Sequence, residues 1–218
     1  MNCCFSDAPV TEDDIKESEQ NAEFAKFLDN TNTFQIKMAD APFEECCYWL
    51  YGTLPFTCLC AQMQTRYEVL NHVHPGSKWN EYYCCQGMFG DCLCFRPGKM
   101  GEENCPACCL CLEVSLCPGA AVSATRFVMM KQYRLALDPC DNRIIRCNNA
   151  LQGCLAILSV INACGGGNSR TKDLENLLRC IANLVYLTTQ GCMLAQVHRE
   201  LKVRGATEPE YQRMEERD

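Results

Sequence analysis

Residues 81–119 read EYYCCQGMFGDCLCFRPGKMGEENCPACCLCLEVSLCPG, and no other stretch of the chain has a comparable density of thiols. The cysteines of this block are Cys84, Cys85, Cys92, Cys94, Cys105, Cys108, Cys109, Cys111 and Cys117. Ordinary core packing does not explain thiols spaced this closely, so we expect a soft metal such as zinc, or disulfide bonds, to hold them. The block therefore predicts a metal-organised knuckle that orders the helices around it.

Four of these cysteines have the spacing of a zinc site. Cys105 and Cys108 form a Cys-x-x-Cys knuckle, in which a tight turn lets both sulfurs point at one metal. Cys92 and Cys94 lie a short loop upstream and complete a four-sulfur set. Zinc is the predicted ion because thiolates are soft ligands. Two alternatives stay open: reduced cysteines packed as small hydrophobic side chains, and disulfide bonds.

Thiol exchange is the other chemistry that a Cys-x-x-Cys pair supports. It depends on a thiolate at the N-terminus of a helix, within a strand–turn–helix frame. The residues that follow Cys108, CLCLEVSLCPG, do not indicate that frame. The glycines at 165–167 do not form a phosphate loop, because no strand precedes them and no Gly-Lys-Ser/Thr follows. We therefore expect a protein that is not an enzyme, with a thiol oxidoreductase as an alternative.

The composition favours a globular protein in a reducing compartment. The chain has 218 residues, of which 48% are hydrophobic, so it can bury a core. Its net charge is −7, with acidic residues concentrated near both ends, which disfavours binding to nucleic acid. The first residues, MNCCFSDAPVTEDD, contain neither a basic leader nor an apolar stretch. We therefore expect a cytoplasmic protein with reduced thiols, a state that favours metal over disulfides.

The most apolar segment, LQGCLAILSVINAC at residues 151–164, bears on membrane contact. A transmembrane helix needs about 20 uninterrupted apolar residues. This segment is shorter and contains Gln152, Ser159 and Asn162. We expect a buried core helix here, with contact to lipid as the alternative. Cys3 and Cys4 are candidate palmitoylation sites, so peripheral membrane association also stays open.

Hydrophobic periodicity predicts a mainly α fold, a small helical bundle organised by cysteine-rich loops with a long C-terminal helix. The helices before the last are predicted at residues 11–28, 59–71, 118–136 and 143–163. The last helix is the clearest, because an apolar stripe at steps of three and four residues runs from Leu174 to Ala195. We expect it to end before Gly205, after roughly 50 Å. A small core cannot cover that length, so part of this helix should contact another helix or another chain.

These patterns divide the chain into three parts. They are an N-terminal arm and helix at 1–40, a cysteine-rich helical domain at 41–205 and a charged tail at 206–218. Within the domain, Cys-Leu-Cys recurs at 58–60, 92–94 and 109–111. Thr-Arg-aromatic tripeptides follow at 65–67 and 125–127. The recurrence indicates a duplicated cysteine turn followed by a helix, or else chance in a chain rich in cysteine.

Other candidate ligands have weaker signals. His72 and His74 follow a predicted helix and are either additional zinc ligands or solvent-exposed side chains. His198 lies on the last helix and is predicted to be a surface residue. Three more cysteines, Cys140, Cys147 and Cys154, recur every seven residues along one predicted helix. Residues two helical turns apart are too distant to share a metal, so core packing is predicted for them.

Two motifs resemble a known family. Residues 191–205, GCMLAQVHRELKVRG, are similar to the end of the cysteine-rich placenta-specific-eight-like family, where a Cys, a Gln and then Arg-Glu-Leu-Lys-x-Arg-Gly close the domain. Residues 58–62, CLCAQ, resemble its Cys-Pro-Cys block, with Leu59 in place of proline. The resemblance covers residues 46–205 and implies a divergent, longer member. It also implies frequent membrane association, links to metal tolerance and growth control, and no established enzymatic activity.

Together these patterns predict a structural and protein-interaction role rather than catalysis at the thiols. We expect a zinc-stabilised structural or protein-interaction protein that presents long helices and acidic arms to protein partners. A subunit of a large cytoskeletal or organellar assembly fits this description. The alternatives are a membrane-associated metal-handling protein and a thiol oxidoreductase.

Overall fold

The computed structural model describes six ranges of the chain, and beyond residue 205 it describes only the backbone. The ranges are 30–77, 79–88, 97–99, 101–136, 138–166 and 168–215. Across them the chain folds into helices, and the only β-type pairing described is an isolated bridge between Asn32 and Leu135. The predicted mainly helical fold with a long C-terminal helix is confirmed. The helix predicted at 11–28 lies outside the described residues.

The helices are labelled here in chain order. They are α1 (Ala41–Glu44), α2 (Cys46–Thr53), α3 (Cys58–Val73), α4 (Pro106–Leu116), α5 (Pro118–Tyr133), α6 (Pro139–Ile161) and α7 (Ser169–Glu215). Short 3₁₀ turns lie at Cys84–Gly87 and Glu102–Asn104, and a π-type turn at Asn162–Gly166 follows α6.

Proline begins three of these helices. Pro106, Pro118 and Pro139 open α4, α5 and α6, where a missing N–H is harmless and the fixed φ suits a helix. Asp138 caps α6, because its carboxylate accepts from the N–H of Cys140 at 2.8 Å and of Asp141 at 3.2 Å. The helix predicted from residue 143 therefore begins four residues earlier.

Helix α7 forms the centre of the molecule. Its second half supplies buried side chains to the core, where Leu194 packs with Met38 and Ala61, and Val197 packs with Val69. The prediction that this helix ends before Gly205 is wrong, since it continues to Glu215 and is 47 residues long. A glycine within a helix costs only about 1 kcal/mol relative to alanine, so Gly205 does not by itself end the helix.

Glycines let α2 and α7 approach closely. A Cβ at Gly191 would lie 2.0 Å from Thr53 Oγ1 and 2.8 Å from the Trp49 carbonyl oxygen. A Cβ at Gly52 would lie 2.8 Å from Leu194 Cδ1. A larger residue at Gly191 would require movement of the helices, because the Trp49 carbonyl is a backbone group, whereas at Gly52 the closest atom is the end of the Leu194 side chain. Gly191 therefore limits the spacing of the crossing.

Helices α6 and α7 form a hairpin that extends away from this core. The prediction of a buried core helix at 151–164 is wrong, since only 11% of the most apolar window of α6 is buried. The reason is that the distal half of α6 packs against α7 alone. By length and apolar composition, Pro139–Cys164 and Ser169–Gly205 both qualify as candidate membrane spans, a criterion that core helices also meet.

Candidate functional site

Cys105 and Cys108 lie together at the N-terminus of α4. Cys105 is the residue before the first helical turn, Cys108 lies within that turn, and both are exposed. Hydrogen bonds from the thiol and the backbone of Cys108 lower the pKa of Cys105. The same contact raises the pKa of Cys108. Cys105 is therefore the member of the pair that is suited to act as a thiolate, either as a metal ligand or as a nucleophile.

The surroundings of this pair differ from the sequence-based expectation. A helix does follow Cys105, although the sequence did not indicate one, while a 3₁₀ turn rather than a strand precedes it. The helix is hard to predict because its residues are mostly cysteine and apolar side chains, without a polar face. Its position is set by packing of Leu110 and Val114, which are 0% and 3% exposed.

The structure describes two of the four cysteines in the predicted zinc site. The structure brings Cys105 and Cys108 together, whereas Cys92 and Cys94 lie outside the described residues. Zinc at these four cysteines remains a prediction. The described cysteines are all free thiols.

A second thiol cluster consists of Cys84, Cys85 and Glu113. One ligand atom from each lies within 4.8 Å of the others. The Glu113 carboxylate accepts hydrogen bonds from the Tyr82 hydroxyl at 3.0 Å and the Cys85 N–H at 2.8 Å, and pairs with Arg66 at 3.1 Å. Residue spacing does not reveal this cluster, although Glu113 is the one charged residue in the apolar run of α4.

The chemistry of this cluster favours a structural role. Burial, followed by the charge of Glu113, raises the pKa of both Cys84 and Cys85, so neither thiol is prepared to ionise. Arg66 already neutralises the carboxylate and would repel a cation placed beside it. The cluster therefore connects the 84–87 turn to α3 and α4 as a buried polar network.

The repeated Thr-Arg tripeptides mark a related feature. Thr65 and Thr125 each donate to the carbonyl four residues earlier, at 2.6 and 3.0 Å, in helices of 16 residues each. Their neighbouring arginines are both buried and pair with buried acids, Arg66 with Glu113 and Arg126 with Asp141. The tripeptides thus occupy matching positions in α3 and α5, which pack against each other.

Of the three histidines, His198 differs from its predicted environment, whereas His74 takes the solvent-exposed alternative. His198 is not a surface residue, because its side chain is only 19% exposed and its ring stacks on Tyr48 at 3.7 Å. Burial lowers its pKa, although Glu45 lies 3.4 Å away and opposes the shift. His72 hydrogen-bonds the Tyr133 hydroxyl, and His74 is exposed.

The distal hairpin, residues 150–184, carries an exposed apolar area that we call the hairpin surface. Its side chains, each 45–64% exposed, are Ile157, Val160 and Ile161 on α6 and Leu174, Leu177, Ile181 and Leu184 on α7. Cys140 and Cys154 are also exposed, so core packing was a wrong prediction for these two. Charged residues are absent from α6 between 150 and 164.

Polar contacts hold the two helices of the hairpin together. The Glu175 carboxylate accepts hydrogen bonds from Ser159 at 2.7 Å and Asn162 at 2.6 Å, and it also pairs with Arg179. Gln152 donates to the Ala182 carbonyl at 3.0 Å. The hairpin is therefore a defined unit whose apolar side chains are displayed outward.

Comparisons with protein-family models, with curated proteins and with solved structures found no match to this chain. The resemblance to the placenta-specific-eight-like family therefore stays a prediction based on its two motifs. The described part of the chain defines the protein as a cysteine-rich helical protein with a displayed apolar hairpin.

Proposed function

We propose that this is a non-catalytic, cysteine-rich protein that binds protein partners through the hairpin surface, as a structural subunit of a larger cytoplasmic assembly. The observation that carries the proposal is the exposure of the apolar side chains on the hairpin surface. Leu177, for example, is 60% exposed and Ile157 is 64% exposed. Soluble proteins rarely leave a large contiguous apolar area uncovered unless it binds something.

The charges of the hairpin favour a protein partner over a membrane. Arg143 and Arg146 precede the uncharged run of α6, which begins at Cys147 and continues into the following turn. The facing part of α7 contains Arg170, Lys172, Asp173, Glu175 and Arg179. Charges at this density oppose insertion into lipid.

Zinc is proposed as a structural element of the same protein. Cys105 and Cys108 are adjacent and exposed, and the lowered pKa of Cys105 favours the thiolate that zinc requires. With Cys92 and Cys94 as the remaining ligands, the ion would fasten the cysteine block to the start of α4.

Flotation with phosphatidylcholine–phosphatidylserine liposomes tests the interaction role against the membrane alternative. We expect the purified protein to remain in the dense fraction, because the charged residues on the hairpin part of α7 oppose insertion into the bilayer. Firm co-flotation, lost when Leu177 and Ile181 are replaced by lysine, would contradict the proposal and favour the membrane-associated, metal-handling alternative.

Metal analysis of the purified, reduced protein tests the zinc assignment. We expect about one zinc per chain, lost in the Cys105→Ser, Cys108→Ser variant and retained in the Cys180→Ser control, which alters an exposed thiol on α7. Absence of zinc, with every thiol freely titratable in the folded protein, would remove the metal from the proposal.

A thiol oxidoreductase is the second candidate, and the position of Cys105 at a helix N-terminus with a lowered pKa favours it. Turnover of a model disulfide, with glutathione as reductant, distinguishes the two functions. We expect none above the uncatalysed rate. Turnover that disappears in a folded Cys105→Ser variant would establish catalysis instead.

A further inference from the structure

We propose that the partner at the hairpin surface is a second copy of this chain, and that two distal hairpins pack antiparallel into a four-helix bundle. This inference rests on the proposed function, since it names the occupant of the same surface. Four observations support it: the spacing of the apolar residues, the exposed area, the distribution of charge and the shape of the hairpin.

The spacing on α7 is that of a helix–helix contact. Leu174, Leu177, Ile181 and Leu184 follow one another at steps of three, four and three residues. This is the a/d pattern of a coiled-coil seam, which needs a facing helix to fill it. The neighbouring α6 cannot fill it, because these four side chains remain 45–62% exposed beside α6.

A two-helix hairpin with one uncovered apolar face is half of a four-helix bundle. The seven side chains of the hairpin surface expose roughly 100 Å² each, or roughly 700 Å² per copy. A stable protein interface buries about 800 Å² per partner. One further copy of the same surface therefore supplies the area that a dimer needs, and no additional protein is required to cover it.

Charge determines the relative direction of the two copies. The whole chain has a net charge of −7, but the distal hairpin contains three basic residues and two acidic ones, so it is nearly neutral. Two-fold antiparallel packing joins the neutral hairpins and places the acidic bodies at opposite ends of the bundle. This arrangement keeps the repulsive charges beyond the screening length of about 8 Å at physiological salt.

Sedimentation velocity of the full chain tests the dimer. At micromolar concentration, we expect the sedimentation coefficient of the wild-type protein to correspond to a mass twice the 24.6 kDa of one chain. A Leu177→Lys, Ile181→Lys variant should associate roughly 100-fold more weakly, because each lysine places a charge within the seam. The matched control, Asn176→Lys with Asn183→Lys, adds the same charge to the opposite, exposed face of α7 and should remain dimeric.

A second measurement keeps the test independent of folding. With p-benzoylphenylalanine at position 181, irradiation should give a covalent dimer, whereas the same group at position 176 should not. Circular dichroism confirms that the lysine variants retain their helices. A wild-type monomer at high micromolar concentration, or equal weakening by both lysine pairs, would overturn the second-copy inference while leaving a different protein partner in place. Co-flotation with liposomes through Leu177 and Ile181 would overturn both proposals.

Discussion

Cys105 combines exposure to solvent with a lowered pKa. We expect iodoacetamide to alkylate Cys105 in metal-free protein at neutral pH well before Cys85, whose pKa is raised by burial and by Glu113. Peptide mass spectrometry over a time course measures both rates. Cys180, an exposed thiol on α7, controls for exposure alone. Equal rates at Cys105 and Cys85 would show that these environments do not control reactivity.

Glu113 is the residue whose loss should cost the most stability. Glu113→Ala leaves Arg66, which is 0% exposed, as an unpaired buried charge, and it also removes the acceptor of Tyr82. We expect the free energy of unfolding to fall by about 3–5 kcal/mol, as measured by urea denaturation. Glu103 is an exposed acid close by, and Glu103→Ala should change stability by less than about 0.5 kcal/mol. Similar losses in both variants would mean that the network contributes nothing specific.

For individual residues, the sequence identified the reactive side chains but not the residues that contact them. The density of cysteine predicted an unusual site, and the Cys-x-x-Cys motif predicted that Cys105 and Cys108 lie together, as they do. The contact of Cys84 and Cys85 with Glu113 was not predictable from spacing, because it depends on how the 84–87 turn packs against α4. Burial of His198 under Tyr48 depends on the crossing of α2 and α7 in the same way.

The close crossing of helices α2 and α7 predicts how glycine substitutions change the free energy of unfolding. Gly191→Ala would force a Cβ to within 2.0 Å of Thr53 Oγ1, so the helices must separate. We expect a loss of about 1–3 kcal/mol in the free energy of unfolding. Gly153 lies in α6 with no atom within 4 Å of the added Cβ, so Gly153→Ala should instead stabilise the protein by about 0.5–1 kcal/mol. Thermal and urea unfolding measure both changes, and a neutral Gly191→Ala would disprove the tight crossing.

Helix periodicity predicted α3, α5 and the start of α7 well, because their apolar stripes and flanking signals agree with their packing. It missed α4, whose few charges leave no polar face to reveal its period. It also misassigned the environment of residues 151–164, since a pattern shows that a face is apolar but not what covers it. The early start of α6 follows from capping by Asp138 ahead of Pro139, a signal that apolar periodicity alone does not include.

For the molecule as a whole, the burial of His198 predicts a dependence of stability on pH. Burial lowers the pKa of His198 below its ordinary 6.5, so the folded protein binds fewer protons there than the unfolded chain does. Stability should therefore fall as the pH decreases through 6.5 toward the lowered value. Urea denaturation between about pH 7.5 and 5.5 should show this slope, and His198→Gln should reduce it.

A second decrease is expected in more acidic solution. Burial alone would raise the pKa of Glu45, but Lys202 at 2.9 Å, together with His198 and Arg199, lowers it below 4.5. The stability that this carboxylate contributes is present above that value and is lost as the pH falls through the lowered pKa. An acid transition that is identical in Glu45→Gln and wild type would contradict this assignment.

The unbroken course of α7 has a mechanical consequence. One helix passes from the outer end of the hairpin, through the core, to Glu215, and the described chain has no joint along it. A tilt of α7 imposed where the hairpin meets its partner is therefore transmitted along the helix to its C-terminal end, because no loop interrupts the helix to absorb the motion. A molecule that binds the last turns of α7 would therefore respond to binding of a partner at the hairpin, at the other end of the helix and roughly 70 Å away.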